Sequence, residues 1–473
     1  MVAIPAQVSV VLRALRARGY EAYAVGGCVR DALLGRVAKD WDAATNAKPE
    51  EIQKVFPKSF YENKFGTVTV IADDMEIQVT TYRVDAAYSD KRHPDDVRYT
   101  ADLKEDLARR DFTMNAMAVS EQGEIVDPFD GQKDIKEKII RAVGDAEARF
   151  NEDALRILRA IRFAAQLHFR IEEKTYAAIR KFSSLLKFVS KERIRDELVK
   201  MIESDGAANG IELMRDAGLL ELVLPELAEG IGVGQNKHHI YTVYEHNLRA
   251  FKYAVEQKWN FHVRIASLLH DVGKPRTKVG DGIDSTFYNH DLVGSRMARQ
   301  IMTRLKFPTA DTEKVALLVR WHLFYYNVDE VTASSVRRLI RNVGLKNMDD
   351  LINLRIADRI GSGVPKAEPY KLRHFRYMVE SVSKDPISSK MLKINGNEVM
   401  RILEIQPGPK VGIILSALLG EVLDDPKRNT EEYLSARTKE FDKFSTSELG
   451  EIIKKGEEKI ELIEMEERRK HRV

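Results

Sequence analysis

A small α+β head followed by a long helical remainder is the multidomain architecture this chain predicts, and three observations predict it. Short runs of alternating polar and β-branched residues are confined to the first 140 or so positions, as in "GTVTVIADDMEIQVTTYR". A glycine pair separates a strand pattern from a helix pattern in "AVGGCVRDALLGRVAKDWDAATN" (24–46). From about residue 145 the spacing becomes helical, beginning with "NEDALRILRAIRFAAQL", and stays so. At 473 residues the chain is too long for one core, so several domains follow.

Taken in order, "QVSVVLRALRARG" reads as an amphipathic helix closed by Gly19 in the C′ position. A strand "AYAV", the pair Gly26-Gly27 and a helix "CVRDALLG" come next. Asp40 and Asp42 then fall on a strand, with both carboxylates on one side. "NAMAVSEQGEIVDPFDG" reads as strand, turn and short strand. Helices dominate thereafter, broken at "EGIGVGQNK", "VGDGIDS" and "DRIGSGVPKAEP", with a final charged helix of mixed sign.

Composition narrows the class without naming it. Hydrophobic residues make up 44% and charged residues 32%, which fits a soluble globular protein, and the net charge of +3 leaves any nucleic-acid surface to local clustering. No apolar run approaches a membrane span and the N-terminus lacks a signal-peptide pattern. The single cysteine, Cys28, excludes an internal disulfide and points to a reducing, cytoplasmic setting.

Glycines at a strand-to-helix turn let backbone N–H groups approach a phosphate, and the helix start adds positive potential. Arg30 lies in the first turn, within reach of phosphate oxygens. Two hard oxygen ligands, Asp40 and Asp42, opposite such a cradle suit Mg²⁺ bound to a nucleoside triphosphate. A tight turn beside an exposed acidic strand is the structural alternative. Further on, Glu152, Asp153, Arg156, Arg159 and Arg162 fall at helical spacing, with Leu155, Leu158 and Ile161 on another face. An ordinary ion-paired surface would look the same. An Asp–Arg pair, however, matches cytosine and adenine, which both present an amino donor beside an unprotonated ring nitrogen. Asp153 would accept and Arg156 donate, while guanine and uracil would leave charges unpaired. Glu152 would orient the Arg156 guanidinium, and Arg159 and Arg162 would reach ribose or triphosphate.

The motif "VGGCVRDALLGRVAKDWD", followed by "RRDFTMNAMA" (109–118), "EDALRILRAIRFAAQL" (152–167) and "KERIRDEL" (191–198), resembles the DNA polymerase β-type nucleotidyltransferases. The resemblance is to the bacterial branch holding tRNA CCA-adding enzymes and poly(A) polymerases, over roughly the first half of the chain. It implies that Gly27, Arg30, Arg110, Asp153, Arg156, Arg159 and Arg162 contact the incoming nucleotide, with Gly26, Asp111, Asn115 and Glu152 completing the expected set. It implies that Asp40 and Asp42 are catalytic metal ligands. Many relatives carry a glutamate just before "VTT(F/Y)R", where this chain has Gln78; Glu76, two residues back on the same face, is the candidate substitute. The polar segment 83–112 matches a loop that the family needs to pass from C to A addition.

A second constellation follows in "YEHNL", "SLLHDVGKP", "FYNHDLVGSRMA", "RWHLFY" and "LRIADRIGSG". A His, an adjacent His-Asp and a later Asp (His246, His270, Asp271, Asp358) make a mixed N/O site for a divalent metal such as Mn²⁺, Ni²⁺ or Co²⁺, and His290 and His322 allow a second ion. The set resembles the HD phosphohydrolase domain that some bacterial CCA-adding enzymes carry behind the head.

The resulting expectation is a head over 1–140, a helical neck and body over 141–235 that reads the base, an HD domain over 236–365 and a helical tail over 366–473. The expected reaction is template-independent, Mg²⁺-dependent addition of CCA to tRNA from CTP and ATP, with an HD phosphohydrolase activity besides. No membrane or DNA partner is expected. The rivals are a poly(A) polymerase, a partial enzyme adding only A or only CC, and an HD phosphohydrolase whose head merely binds nucleotide.

Overall fold

The structure, a computed structural model, describes residues 2–38, 40–61, 66–85, 97–236, 240–328, 330–364 and 366–451. The chain divides into two compact units, one running to Ala228 together with Arg304–Phe307, the other comprising Glu229–Thr303 and the chain from Pro308 onward.

In the first unit, helix α1 (Ala6–Arg16) buries Val8, Val11, Leu12 and Leu15, one face at helical spacing. Its cap is Ala17, so Gly19, at φ +86°, sits two residues beyond the cap and not next to it. Strand β1 (Ala22–Val25) leads into α2 (Gly27–Leu33), then β2 (Asp42–Thr45), α3 (Pro49–Val55) and strands β3 (Ser59–Tyr61), β4 (Thr67–Ala72) and β5 (Met75–Thr81). A separate ribbon, β6 (Arg83–Asp85) with β7 (Val97–Tyr99), precedes α4 (Leu103–Ala108). Strands β8 (Ala118–Val119) and β9 (Ile125–Val126) complete a seven-stranded sheet of order β3-β4-β5-β2-β1-β8-β9. The β2–β5 pair is parallel and its neighbours are antiparallel. The core of this region joins Val25, Ala44, Tyr82, Leu103, Leu107 and Val143. The tip of the polar segment expected to serve as a switching loop, 86–96, lies outside the described residues.

Beyond the sheet come α5 (Gly131–Glu137), β10 (Ile139–Ile140), α6 (Ala146–Glu152), α7 (Leu155–Leu167) and β11 (Arg170–Ile171), with β10 and β11 paired in parallel. Helices α8 (Glu173–Phe182), α9 (Lys191–Ile202) and α10 (Ala207–Asp216) and the single turns α11 (Leu220–Val223) and α12 (Pro225–Ala228) follow.

Two expectations shift by a residue or two. Asp40 precedes β2 instead of lying on it; it is exposed, Trp41 is buried and Asp42 opens the strand. Asp153 is not on the helix that carries Arg156: α6 ends at Glu152, Asp153 is extended (φ −137°, ψ 104°), and α7 begins at Leu155. The Asp153 carboxylate accepts the Leu155 N–H at 3.1 Å, a capping bond that competes with helix continuation.

The second unit is helical: α13 (Val243–Glu256), α14 (Phe261–Leu269), α15 (Lys274–Thr277), α16 (His290–Arg304), α17 (Thr309–Trp321), α18 (Ala333–Val343), α19 (Met348–Gly361), α20 (Tyr370–Val382), α21 (Gly396–Leu403), α22 (Pro409–Asp424) and α23 (Glu431–Phe441). Helices α13, α14, α17 and α19 pack together, and the last three helices share a second core around Leu418, Val422 and Leu434. Among the described residues no helix is long and apolar enough to cross a membrane.

Candidate nucleotide site and metal centre

Register places the glycine turn beside the acid. Val25 is the β1 partner of Asp42, so the chain leaves the sheet at Gly26 on the level of that carboxylate. Gly26 adopts φ +86°, ψ −133°, a conformation L side chains avoid, and a Cβ there would stand 2.6 Å from Arg110 Nη1. Across the sheet, Gln78 is the β5 partner of Asp42, whereas Glu76 pairs with Ile71 of β4. The position beside Asp42 is therefore held by an amide. Glu76 and Gln78 do share an exposed face.

A cavity of about 470 Å³ opens here, and its lining includes seven arginines against the three carboxylates of Asp42, Asp111 and Asp153. Arg30 donates to Asn115 Oδ1 at 2.6 Å and grips Asp31 in a fork at 2.9 and 3.0 Å. Asn115 in turn donates to Asp111 Oδ1 at 3.0 Å, and Asp111 Oδ2 receives Arg159 at 2.6 and 2.8 Å. Burial would raise the Asp111 carboxyl, but Arg159, Asn115 and Arg156 outweigh it and hold the group far below the usual carboxylate range. The Phe163 ring lies on this network, with the guanidinium carbons of Arg30, Arg159 and Arg162 at 5.0, 5.4 and 3.9 Å from its centre.

Arg156 and Asp153, the pair expected to read the base, are both engaged by neighbouring groups. Arg156 donates to Glu152 Oε2 at 2.8 Å, as the sequence suggested, and also to the Arg109 carbonyl at 2.9 Å. Asp153 is clasped by Arg193 at 2.8 and 3.2 Å, and Arg162 is paired with buried Glu197. Arg109, Phe163 and Arg193 line the cavity, and the residue-by-residue reading missed them as well as Glu197; "KERIRDEL" held Arg193 and Glu197 at i and i+4 facing the charged helix. Of the expected set, Gly26, Gly27, Arg30, Asp42, Arg110, Asp111, Asn115, Asp153, Arg156, Arg159 and Arg162 line the cavity, while Glu152 stands behind Arg156 and Asp40 is not among the lining residues.

Asp42 shows the fit for a cation. Burial raises its carboxyl, Arg110 opposes this, and the charge of Asp40 raises it further. Carboxylate oxygens are the hard donors that a divalent ion takes, so Asp42 at the cavity suits one.

In the second unit His246, His270, Asp271, His290, His322 and Asp358 converge, all buried. His270, His290 and His322 each direct Nδ1 to a backbone carbonyl, of Ser267, Phe287 and Val319, at 2.9, 2.6 and 2.7 Å. That fixes the ring so that Nε2 offers a lone pair inward. His246 Nε2 and His270 Nε2 then face each other at 2.9 Å, and Asp358 Oδ1 lies 3.3 and 3.6 Å from them. His290 Nε2, His322 Nε2 and Asp271 Oδ1 make no hydrogen bond although buried. Such orphaned atoms converge where a metal would satisfy them. Two triads result, His246–His270–Asp271 and Asp271–His290–His322, which share the one aspartate. Burial opposes ionisation, but Lys274 and His270 keep Asp271, and Arg355 keeps Asp358, well below the usual carboxylate range, so both are anionic near neutrality. Lys274 was missed: it is buried, 2.6 Å from Asp271 Oδ2 and 2.8 Å from Gln235 Oε1.

An arginine-rich cavity beside a strand-borne carboxylate, on a sheet followed by a helical segment, fits a nucleotidyltransferase head. Comparison with known proteins agrees. Residues 22–141 match the poly A polymerase head domain, 168–231 the probable RNA and SrmB-binding site of polymerase A, and 243–360 the HD domain. An A-adding tRNA nucleotidyltransferase of Deinococcus radiodurans is 36% identical over 84% of this chain and 92% of its own length. A CCA-adding enzyme of Enterococcus faecalis is 33% identical over 90% and 93%. The crystal structure of the Bacillus stearothermophilus CCA-adding enzyme in complex with CTP superposes with a TM-score of 0.68 at 28% identity, covering 93% of this chain and 98% of that one. The chain belongs to the bacterial tRNA nucleotidyltransferase and poly(A) polymerase family, in the group that carries an HD domain behind the head. Membership and the two carboxylate-bearing centres together imply divalent-metal chemistry in both units.

Proposed function

We propose that the protein adds C, C and A to the 3′ end of tRNA from CTP and ATP without a nucleic-acid template. The observation that supports this best is the single cavity that holds Asp42, an arginine cradle and the Asp153–Arg156 pair together. The RNA 3′-oxygen forms a bond to the α-phosphorus, the bond to the β-phosphate oxygen breaks, and pyrophosphate leaves. Asp40 and Asp42 hold Mg²⁺, which when bound activates the hydroxyl and neutralises charge on the phosphates. Arg30, Arg110, Arg159 and Arg162 bind triphosphate and ribose. Asp153 accepts from the base amino group, and Arg156, held by Glu152 and the Arg109 carbonyl, donates to the ring nitrogen. The HD centre, loaded with Mn²⁺, Ni²⁺ or Co²⁺, hydrolyses phosphate esters such as 2′,3′-cyclic phosphates. The functional division is a head over 1–140, neck and body over 141–235, HD domain over 236–365 and tail over 366–473, in a cytoplasmic protein.

The test is tRNA ending at the discriminator base, incubated with CTP, ATP or both and read at single-nucleotide resolution. Growth that stops at CCA supports the proposal. Acceptance of ATP only on tRNA already ending in CC favours the A-adding activity named for the Deinococcus relative, and a long A ladder on arbitrary RNA favours a poly(A) polymerase. For the HD centre, metal-supplemented hydrolysis of a 2′,3′-cyclic phosphate is compared between wild type and a His270→Ala/Asp271→Ala double variant. No turnover with Mn²⁺, Ni²⁺, Co²⁺ or Mg²⁺ overturns that part.

A further inference from the structure

Asp106 has no role in the reaction as described, yet it is a fully buried carboxylate paired with Arg109 and Arg110 of the cavity lining. It lies on α4, whose Leu103 and Leu107 pack with Val25 and Ala44 of β1 and β2. Those are the strands that carry the glycine turn and Asp42, so the packing of α4 fixes Asp106 relative to both. Asp106 Oδ1 accepts from Arg109 Nε and Nη2 at 3.0 and 2.9 Å and from the Arg83 backbone N–H at 3.3 Å. Its Oδ2 makes no hydrogen bond and faces Arg110 Nη2 at 3.6 Å.

Arg110 is held by charge more than by hydrogen bonds among the described residues. Its Nε is buried without a hydrogen-bond partner among the described residues, while Nη1 lies over Gly26 and the guanidinium acts electrostatically on Asp42. The Arg110 charge is thus suspended between a buried anion behind it and the cavity in front. Two adjacent arginines, Arg109 and Arg110, would repel each other and swing apart without that anion. An arginine already oriented loses less side-chain freedom when it meets an anionic ligand.

We propose that Asp106 is a positioning residue that holds Arg109 and Arg110 towards the cavity, so that the outer phosphates of a bound nucleoside triphosphate meet cations already in place. The role rests on the nucleotide-transfer reading above, but it is measured by binding and not by turnover. Asp106 pairs with the side chains of Arg109 and Arg110, whereas Arg156 is held by Glu152 and the Arg109 backbone carbonyl, so loss of Asp106 is expected to weaken triphosphates more than monophosphates.

The experiment is calorimetric titration of the full chain with CTP and with CMP in the presence of Mg²⁺, for wild type and Asp106→Asn, which keeps the side-chain volume. CTP affinity is expected to fall about tenfold, the low end of what a charge-assisted contact contributes, while CMP affinity changes by less than about twofold. In an Arg110→Met background the Asp106→Asn change should cost CTP less than it does in wild type, because one of the two groups it positions is gone. Equal losses for CTP and CMP, no loss for either, full additivity in the double variant, or a wild type that binds CTP no better than CMP overturn the proposal. If Asp106→Asn fails to fold, Asp106→Glu is titrated instead. It keeps the charge but displaces it by one methylene, and CTP must again lose more than CMP. Incorporation of CMP into tRNA by the wild type checks the transfer reading separately: binding with the expected pattern but no incorporation would sink that reading and leave the positioning role standing.

Discussion

Replacing Asp153 by asparagine separates two tasks that one carboxylate performs. Asp153 Oδ1 caps α7 through the Leu155 N–H at 3.1 Å, and the two oxygens together clasp Arg193 at 3.2 and 2.8 Å. Asparagine caps helices as well as aspartate does, so the variant keeps that contribution, whereas alanine forfeits about 1 kcal/mol. The ion pair is partly exposed, with side chains at 16% and 24%, so its loss costs stability about 1 kcal/mol after screening. The effect on base choice is larger. A carboxylate only accepts, but an amide can turn its NH₂ towards the carbonyl of uracil, so the barrier against U falls by about 1.5–3 kcal/mol, or 10- to 150-fold. The assay is single-turnover incorporation from CTP and from UTP on tRNA lacking its CCA, with Asp153→Ala as the less stable control. A C-to-U rate ratio in Asp153→Asn equal to that of wild type would refute the templating role and leave Asp153 as a helix cap.

Asp111→Asn strips Arg159 and Asn115 of a buried anion and should destabilise the first unit by about 3 kcal/mol, read by denaturant unfolding. Because the folded carboxyl is held below its unfolded value of about 4, its contribution is complete above that pH and disappears as the pH falls through the folded value. Wild type should therefore lose stability below about pH 4 more steeply than the Asn variant does. Gly26→Ala must adopt φ +86° and displace Arg110, so a cost of about 1–3 kcal/mol and weakened CTP binding are expected in thermal melts and titrations; wild-type values would discount the turn as a phosphate cradle. Asp42→Ala should abolish nucleotide addition and leave tRNA binding near wild type in a gel-shift assay. Asp271→Asn removes the ligand common to both triads, so metal content by mass spectrometry should fall for both ions together, whereas His322→Ala should affect one.

The sequence revealed the chemistry of this site more readily than its geometry. Gly26-Gly27, the charged run at 152–162 and the adjacent His270-Asp271 are local patterns whose residue types carry their meaning; the structure gathers residues of the first two around one cavity and the third into a buried cluster. The misplacements are of one kind. Periodicity assigned Asp40 to a strand and Asp153 to a helix face, but aspartates sit well just outside elements, where the side chain can serve the backbone, and Asp153 does so at α7. Register was also hidden: only the pairing of β2 with β5 shows that Gln78, not Glu76, stands beside Asp42. Arg193, Phe163 and Lys274 escaped because their roles come from contacts made across the fold or inside the HD cluster, to Asp153, Arg162 and Asp271.

The bonds that close the nucleotide cavity span long stretches of chain: 85 positions from Arg30 to Asn115, 48 from Asp111 to Arg159, 47 from Arg109 to Arg156 and 40 from Asp153 to Arg193. Each closure costs entropy before it is repaid, so the cavity matures late in folding. On the ribosome, a nascent chain that has not yet exposed α9 lacks Arg193 and Glu197, the partners of Asp153 and Arg162. A product terminated before α9 keeps most of the arginine cradle but not the clasp on Asp153, and is expected to bind triphosphates more weakly than the full chain.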